Sequence, residues 1–208
     1  MKRVTPFNDP FKDPFGDAIH GPMARFNAGR LGMWLFLAVL VMTFASAIMG
    51  YVVVRINNGA AFVPVDAQPL PNLLLVSTLI IAVSSVTMQK ALAAARLGEA
   101  IQAQWMSATV ALALAFLLSQ AFAWRELLLQ QQFIGDNLYA WTFYVLTGLH
   151  AAHVIGGLVP LSLTLYRARR CGYGPADTRG ITYCAMYWHF LGATWVVLYL
   201  TLWLGSST

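Results

Sequence analysis

The stretch from Tyr139 to Tyr166, YAWTFYVLTGLHAAHVIGGLVPLSLTLY, decides the fold. Its 28 residues include no Asp, Glu, Lys or Arg, and at about 1.5 Å per residue they are long enough to cross a hydrocarbon core of about 30 Å. The run predicts a transmembrane helix. At about 100° per residue, Phe143, Leu146, Thr147, His150, His153, Val154 and Gly157 share one face. A hydroxyl or imidazole without a partner in hydrocarbon costs several kcal/mol, so this face is predicted to meet protein. Thr147 can bond back to a carbonyl of its own helix, whereas the sequence offers His150 and His153 no such local partner. Two readings stand for this pair: metal ligands at i and i+3, or neutral imidazoles hydrogen-bonded across helices, the second being favoured.

Moving outward, the chain is 59% hydrophobic and 10% charged, with a mean hydropathy of +0.63, against roughly a quarter charged residues in a soluble domain. It is predicted to be an integral membrane protein. Four further apolar runs cover residues 31–54, 72–92, 105–124 and 181–204. With 139–166 they predict an all-α bundle of five transmembrane helices over residues 30–208. Tryptophans at 105 and 124 bracket the third run, where amphipathic rings favour the interface. Residues 1–29, with the spacing PFNDPFKDPFGD and three prolines by Pro14, are predicted to be an irregular cytoplasmic arm without a signal-peptide core. Both a disordered tail and a partner-docking arm are consistent with it.

Of the 13 lysines and arginines, 11 precede helix 1 or follow helices 2 and 4, and only Arg55 and Arg125 fall on the other side. The positive-inside rule therefore predicts the N-terminus inside and the C-terminus outside. The same asymmetry accounts for the net charge of +5 without any nucleic-acid partner. Cys171, in a basic loop, and Cys184, in the last run, make no metal-binding or disulfide pattern and read as structural.

Within the five runs only His150, His153 and His189 titrate near neutral pH, because none contains Asp or Glu. Proton-coupled transporters usually need intramembrane carboxylates, so the transport class is disfavoured. Helices 4 and 5 run antiparallel, which makes the three imidazoles candidate neighbours, and a bis-histidine haem is one reading of them. Against it, the small residues Gly192 and Ala193 beside His189 favour close helix packing.

Five segments in order carry a family resemblance: RLGMWLFLA (30–38), SSVTMQ (84–89), SQAFAW (119–124), FYVLTGLHAAHVIGG (143–157) and YWHFLGATW (187–195). Together they resemble subunit III of the haem-copper cytochrome oxidases, in the five-helix bacterial form, over about residues 30–204. The resemblance implies an accessory subunit of the bacterial cytoplasmic membrane, without catalytic residues, cofactor or metal of its own. Haem and copper would lie in partner subunits, with subunit I as the direct partner and subunit II reached through it. The complex reduces dioxygen to water and pumps protons, and this subunit supports sustained turnover. The resemblance also implies bound phospholipid in a cleft between a helix 1–2 pair and a helix 3–5 group, with Arg30, Trp34 and Lys90 as candidate headgroup contacts. Thr147, His150, His153 and His189 are then interhelical polar groups.

Two departures stand out. Where the family usually has acids, this chain has Leu40 after its GMWLFLA motif and Gly192 after WHFL, so a proton-gathering role built on those acids does not carry over. The departures leave open a subunit-III-like partner of a nitric oxide reductase or quinol oxidase. A stand-alone haem-binding or transport protein is the alternative of another class.

Overall fold

A computed structural model describes residues 22–59, 62, 73–129, 138–170, 172–175 and 177–206, with the side chains of α1 described from Ala28 onward. Residues 1–21 of the expected arm and Cys171 lie outside them. Among the described residues are five helices: α1 Pro22–Asn58, α2 Leu73–Leu97, α3 Gln102–Leu129, α4 Leu138–Arg170 and α5 Arg179–Ser206. Each is long and apolar enough to cross a membrane. All five overrun the apolar runs that predicted them, because backbone hydrogen bonding continues into the headgroup layer, where polar side chains are tolerated. The largest difference is at the start. Helix α1 begins at Pro22, so residues 22–29 are helical and not irregular; a proline suits the first helical position, where its missing N–H costs nothing.

The chain divides into two units, residues 1–39 and residues 40–208. Of the first, the described part is the opening of α1, on which Arg30, Leu31, Trp34 and Leu35 are exposed.

In the second unit, α2 packs on α3, α3 on α4, α4 on α5, and α5 back on α2, a closed ring of four helices. Residues 40–58 of α1 reach this ring through side chains. The Phe44 ring lies 6.1 Å from His150 and 5.0 Å from His153 on α4, and 6.4 Å from Phe190 on α5. This corrects the expected grouping: among the described residues α2 packs on α3 and α5 and does not pair with α1. The physical reason is that α2 is rich in small and hydroxylated residues, and close packing follows them.

The two ends of this unit are tied differently. At one end Arg55 donates to the Gly205 carbonyl near the C-terminus of α5, and the Tyr51, Phe62 and Tyr139 rings follow edge to face at 5.7 and 5.8 Å. A cation suits a helix C-terminus, where carbonyls lack intrahelical partners. At the other end, Gln102 Nε2 donates to the Tyr173 carbonyl at 3.0 Å, joining the α2–α3 turn to the α4–α5 loop. Gly98 and Gly172 adopt φ of +73° and +71° there, a region that side chains other than glycine rarely occupy.

Candidate functional site

The buried positions of α2 are Leu74, Ser77, Ile81, Ser84, Thr87, Met88, Ala91, Leu92, Ala94 and Ala95, a stripe at the helical repeat. Its hydroxyls bond back to their own helix and also outward. Ser77 meets Ser119 at 2.8 Å and accepts from Gln120 Nε2 at 2.8 Å, both on α3. Thr87 meets Thr109 of α3 at 2.9 Å. Toward α5, Trp188 Nε1 donates to Ser84 Oγ at 2.8 Å, Trp195 Nε1 donates to Thr78 Oγ1 at 3.1 Å, and Gln89 Oε1 lies 3.1 Å from His189 Nε2. Thr78 and Ser84 each donate to a carbonyl of their own helix while accepting from an indole, whereas in the Ser77–Ser119 and Thr87–Thr109 pairs one hydroxyl must give its single hydrogen to the other. The motifs SSVTMQ, SQAFAW and YWHFLGATW all contribute to this seam.

On α4 the face read from the sequence is buried at Phe143, Leu146, Thr147, His150, Val154 and Gly157, while His153 is half-buried. Thr147 donates to the Phe143 carbonyl at 2.7 Å and accepts from Trp124 Nε1 of α3 at 3.1 Å. The histidines require two corrections. His153 does have a local solution, since its Nδ1 lies 2.7 Å from the Leu149 carbonyl one turn earlier, so its ring bond is intrahelical. His150 is fully buried, and neither ring nitrogen has a hydrogen-bond partner among the described residues. In place of an interhelical polar contact it has aromatic walls, with Phe116 at 5.7 Å, Trp195 at 5.1 Å and Phe44 at 6.1 Å. The reason is geometric: the indole N–H of Trp195 is already committed to Thr78, and that of Trp124 to Thr147. His189 faces α2 through Gln89, so the three imidazoles do not form one group.

Gly157 and Gly192 are both contact points. A Cβ on Gly157 would lie 2.5 Å from Tyr187 Cε1, and the Tyr187 hydroxyl donates to the His153 carbonyl at 2.9 Å. A Cβ on Gly192 would lie 3.0 Å from Ser85 Oγ on α2, so the position where relatives of the resemblance have an acid is here a close approach of α5 to α2. Leu40, the other such position, is buried. Of the candidate headgroup contacts, Arg30 and Trp34 are exposed, and the Lys90 ammonium sits 4.6 Å from the centre of the Trp105 ring. Cys184 is buried and unpaired.

Sequence reasoning missed Ser77, Thr78, Thr109, Ser119 and Gln120 as a connected set. The signal was present, because Ser77, Ser84 and Thr87 recur at spacings that keep them on one face of α2. Their partners, on α3 and α5, were not marked by any spacing.

Among the described residues no three His, Cys, Asp or Glu side chains come together as a metal site would require. The arrangement can join helices, and many of the residues that do so lie in the motifs SSVTMQ, SQAFAW, FYVLTGLHAAHVIGG and YWHFLGATW. Residues 17–207 match the family described as cytochrome c oxidase subunit III. The chain is 31% identical to cytochrome c oxidase subunit 3 of Corynebacterium diphtheriae over 182 residues, covering 86% of this chain and 88% of that one. It is 32% identical to cytochrome c oxidase subunit 3 of Synechocystis over 189 residues, 89% of this chain and 79% of that one. Against cytochrome c oxidase subunit 3 of Alkalihalophilus pseudofirmus the identity is 30%, covering 84% and 85%. Five membrane-length helices and a family match along nearly the whole chain lead to one conclusion: this protein belongs to the cytochrome c oxidase subunit III family.

Proposed function

We propose that this chain is the non-redox accessory subunit of a respiratory haem-copper oxidase, which docks on subunit I, and through it on subunit II, and sustains proton-pumping reduction of dioxygen by packing and lipid retention. Haem and copper belong to the partner subunits in this reading. The observation that carries it is how the membrane-embedded polar side chains are used: the hydroxyls, indoles and amides of α2, α3 and α5 bond across helices and to carbonyls of their own helix, as a bundle with a structural task requires. The family membership supports the same partners. The exposed apolar side chains Val41, Met42, Met49 and Val53 of α1 suit a lipid or subunit neighbour. The distribution of basic residues supports a cytoplasmic N-terminus in the bacterial inner membrane, with Arg30, Trp34 and Lys90 at headgroup level.

The test is oxygen consumption over many turnovers, with the subunit present and absent. Its removal should leave the haem spectrum of the complex in place and shorten the enzyme's working life. A chain that purifies without any oxidase subunit, or an oxidase whose haems disappear with it, would overturn the reading.

A further inference from the structure

Halfway along α4 lie two hydrogen-bond acceptors that the bundle itself does not use, at a depth where a membrane offers no water. The first is on His153. Its Nδ1 lies 2.7 Å from the Leu149 carbonyl, and a carbonyl only accepts, so the ring proton sits on Nδ1 and Nε2 carries the lone pair. The side chain is half-buried, and its Nε2 has no hydrogen-bond partner among the described residues. Unlike both ring nitrogens of His150, it is not sealed inside the bundle.

The second is the Gly156 carbonyl. The N–H that an α-helix would bring to it belongs to residue 160, which is proline and has none. The hydroxyl one turn further on does not replace it, because Thr164 donates to the Pro160 carbonyl at 2.6 Å. Gly156 and Pro160 are exposed, and the space where a Cβ on Gly156 would stand is open. At about 100° per residue His153, Gly156 and Pro160 fall in one narrow strip, with the exposed Ala152 and Val159 beside it.

An acceptor left alone in hydrocarbon is costly, and acyl chains carry no donor. The free space over Gly156 lets another backbone come close. From these two acceptors we propose that this strip of α4 docks a transmembrane helix of a different chain, one that presents side-chain hydroxyl or indole donors to His153 Nε2 and the Gly156 carbonyl. A second copy of this chain meeting the same strip would set acceptors against acceptors, so it is the wrong occupant. For the identity of the partner, a neighbouring oxidase subunit, the inference rests on the function proposed above; it adds the face and the chemistry of the contact.

The experiment uses the assembled complex in its own membrane, with a photo-crosslinking residue at Ala152 or Val159 and, for comparison, at the exposed Leu79 of α2 and Leu114 of α3. Crosslinks to another oxidase subunit are expected from both α4 positions. Pro160→Ala then separates docking from folding, since it gives the Gly156 carbonyl its N–H back. The isolated full chain should melt at or above the parent temperature, while the subunit should leave the detergent-solubilised complex about threefold to tenfold faster, the size of one hydrogen bond between membrane helices. His153→Phe keeps a ring, removes the other acceptor and should quicken release similarly. Crosslinks to oxidase subunits from Leu79 or Leu114 alone would overturn the docking face and leave the proposed function standing. A partner crosslinked from α4 and released by Pro160→Ala that is not an oxidase subunit would keep the face and refute that function. Crosslinks from α4 to lipid or to a second copy only, or release unchanged in both variants, would overturn the inference.

Discussion

The indole of Trp188 on α5 donates to the hydroxyl of Ser84 on α2 across 2.8 Å, and both residues are fully buried. Ser84 in turn donates to the Ile81 carbonyl at 3.0 Å, so one oxygen serves two helices. Ser84→Ala strands the indole N–H and should cost about 1–2 kcal/mol. Combined with Trp188→Phe, a double-mutant cycle in unfolding should return a coupling of roughly 1 kcal/mol. A coupling near zero would show that the bond does not hold α2 to α5.

Gly156 and Gly157 are adjacent and should respond oppositely. Alanine at 157 runs into Tyr187 and should displace its hydroxyl from the His153 carbonyl, at a cost of about 1–3 kcal/mol. Alanine at 156 meets nothing within 4 Å and should be neutral, or stabilising by up to about 1 kcal/mol through helix propensity. Thermal unfolding of the two variants side by side is the measurement, and equal effects would contradict the packing.

His150 offers a cleaner test of what a buried imidazole contributes. Because neither of its nitrogens is bonded among the described residues, replacing it by an apolar side chain of similar volume should remove a desolvation cost and no hydrogen bond. His150→Leu should hold stability within about 1 kcal/mol of the parent or raise it, whereas His150→Ala should lose about 2–4 kcal/mol through the cavity among Phe44, Phe116 and Trp195. A large loss in the leucine variant would reveal a polar partner.

Asp177 lies outside the membrane-spanning helices, and its hydrogen bonds with Arg179, aided by the charge of Arg167, hold its carboxyl below the ordinary 3.8. A carboxyl depressed in the folded state contributes stability above its unfolded value and loses it as pH falls through the folded one. Order in the α4–α5 loop should therefore be constant from neutral pH down to about 5 and decline below about 4. Asp177→Asn should show the looser loop at every pH. Amide exchange over residues 172–180 reads both, and a loop insensitive to pH in the parent would count against the clasp.

The two positions without family acids make a further expectation. Leu40 is buried, so Leu40→Glu should destabilise by several kcal/mol as an unpaired carboxyl in an apolar site. Gly192→Asp brings a carboxyl to within reach of the Ser85 hydroxyl but must first widen the α5–α2 approach. It too should lower the unfolding temperature, and unchanged melting of either variant would show that the site accommodates charge.

The five spans were legible because a hydrocarbon core demands length and apolarity, both of which are local properties. So was the protein-facing stripe of α4, since it follows from the helical repeat. Partners were not legible: Ser84 and Trp188 stand 104 residues apart, and no local pattern ties one to the other. The histidines show the limit from the other side. The rule that a buried polar group finds a partner was applied to His150 and His153 alike, yet one bonds within its own helix and the other is walled by rings, a difference set by which neighbouring donors were already occupied. The extra turn at most helix ends was hidden because apolar runs mark the edge of the lipid, not the end of backbone hydrogen bonding.

The closed ring has a consequence for biogenesis. Three of the bonds that close it, from Thr78, Ser84 and Gln89, reach α5, which emerges from the ribosome after α2, α3 and α4. Until α5 inserts, those groups face lipid or each other, and a chain arrested before α5 carries a polar stripe in the bilayer. The arrival of the final helix therefore both seals the fold and covers that stripe.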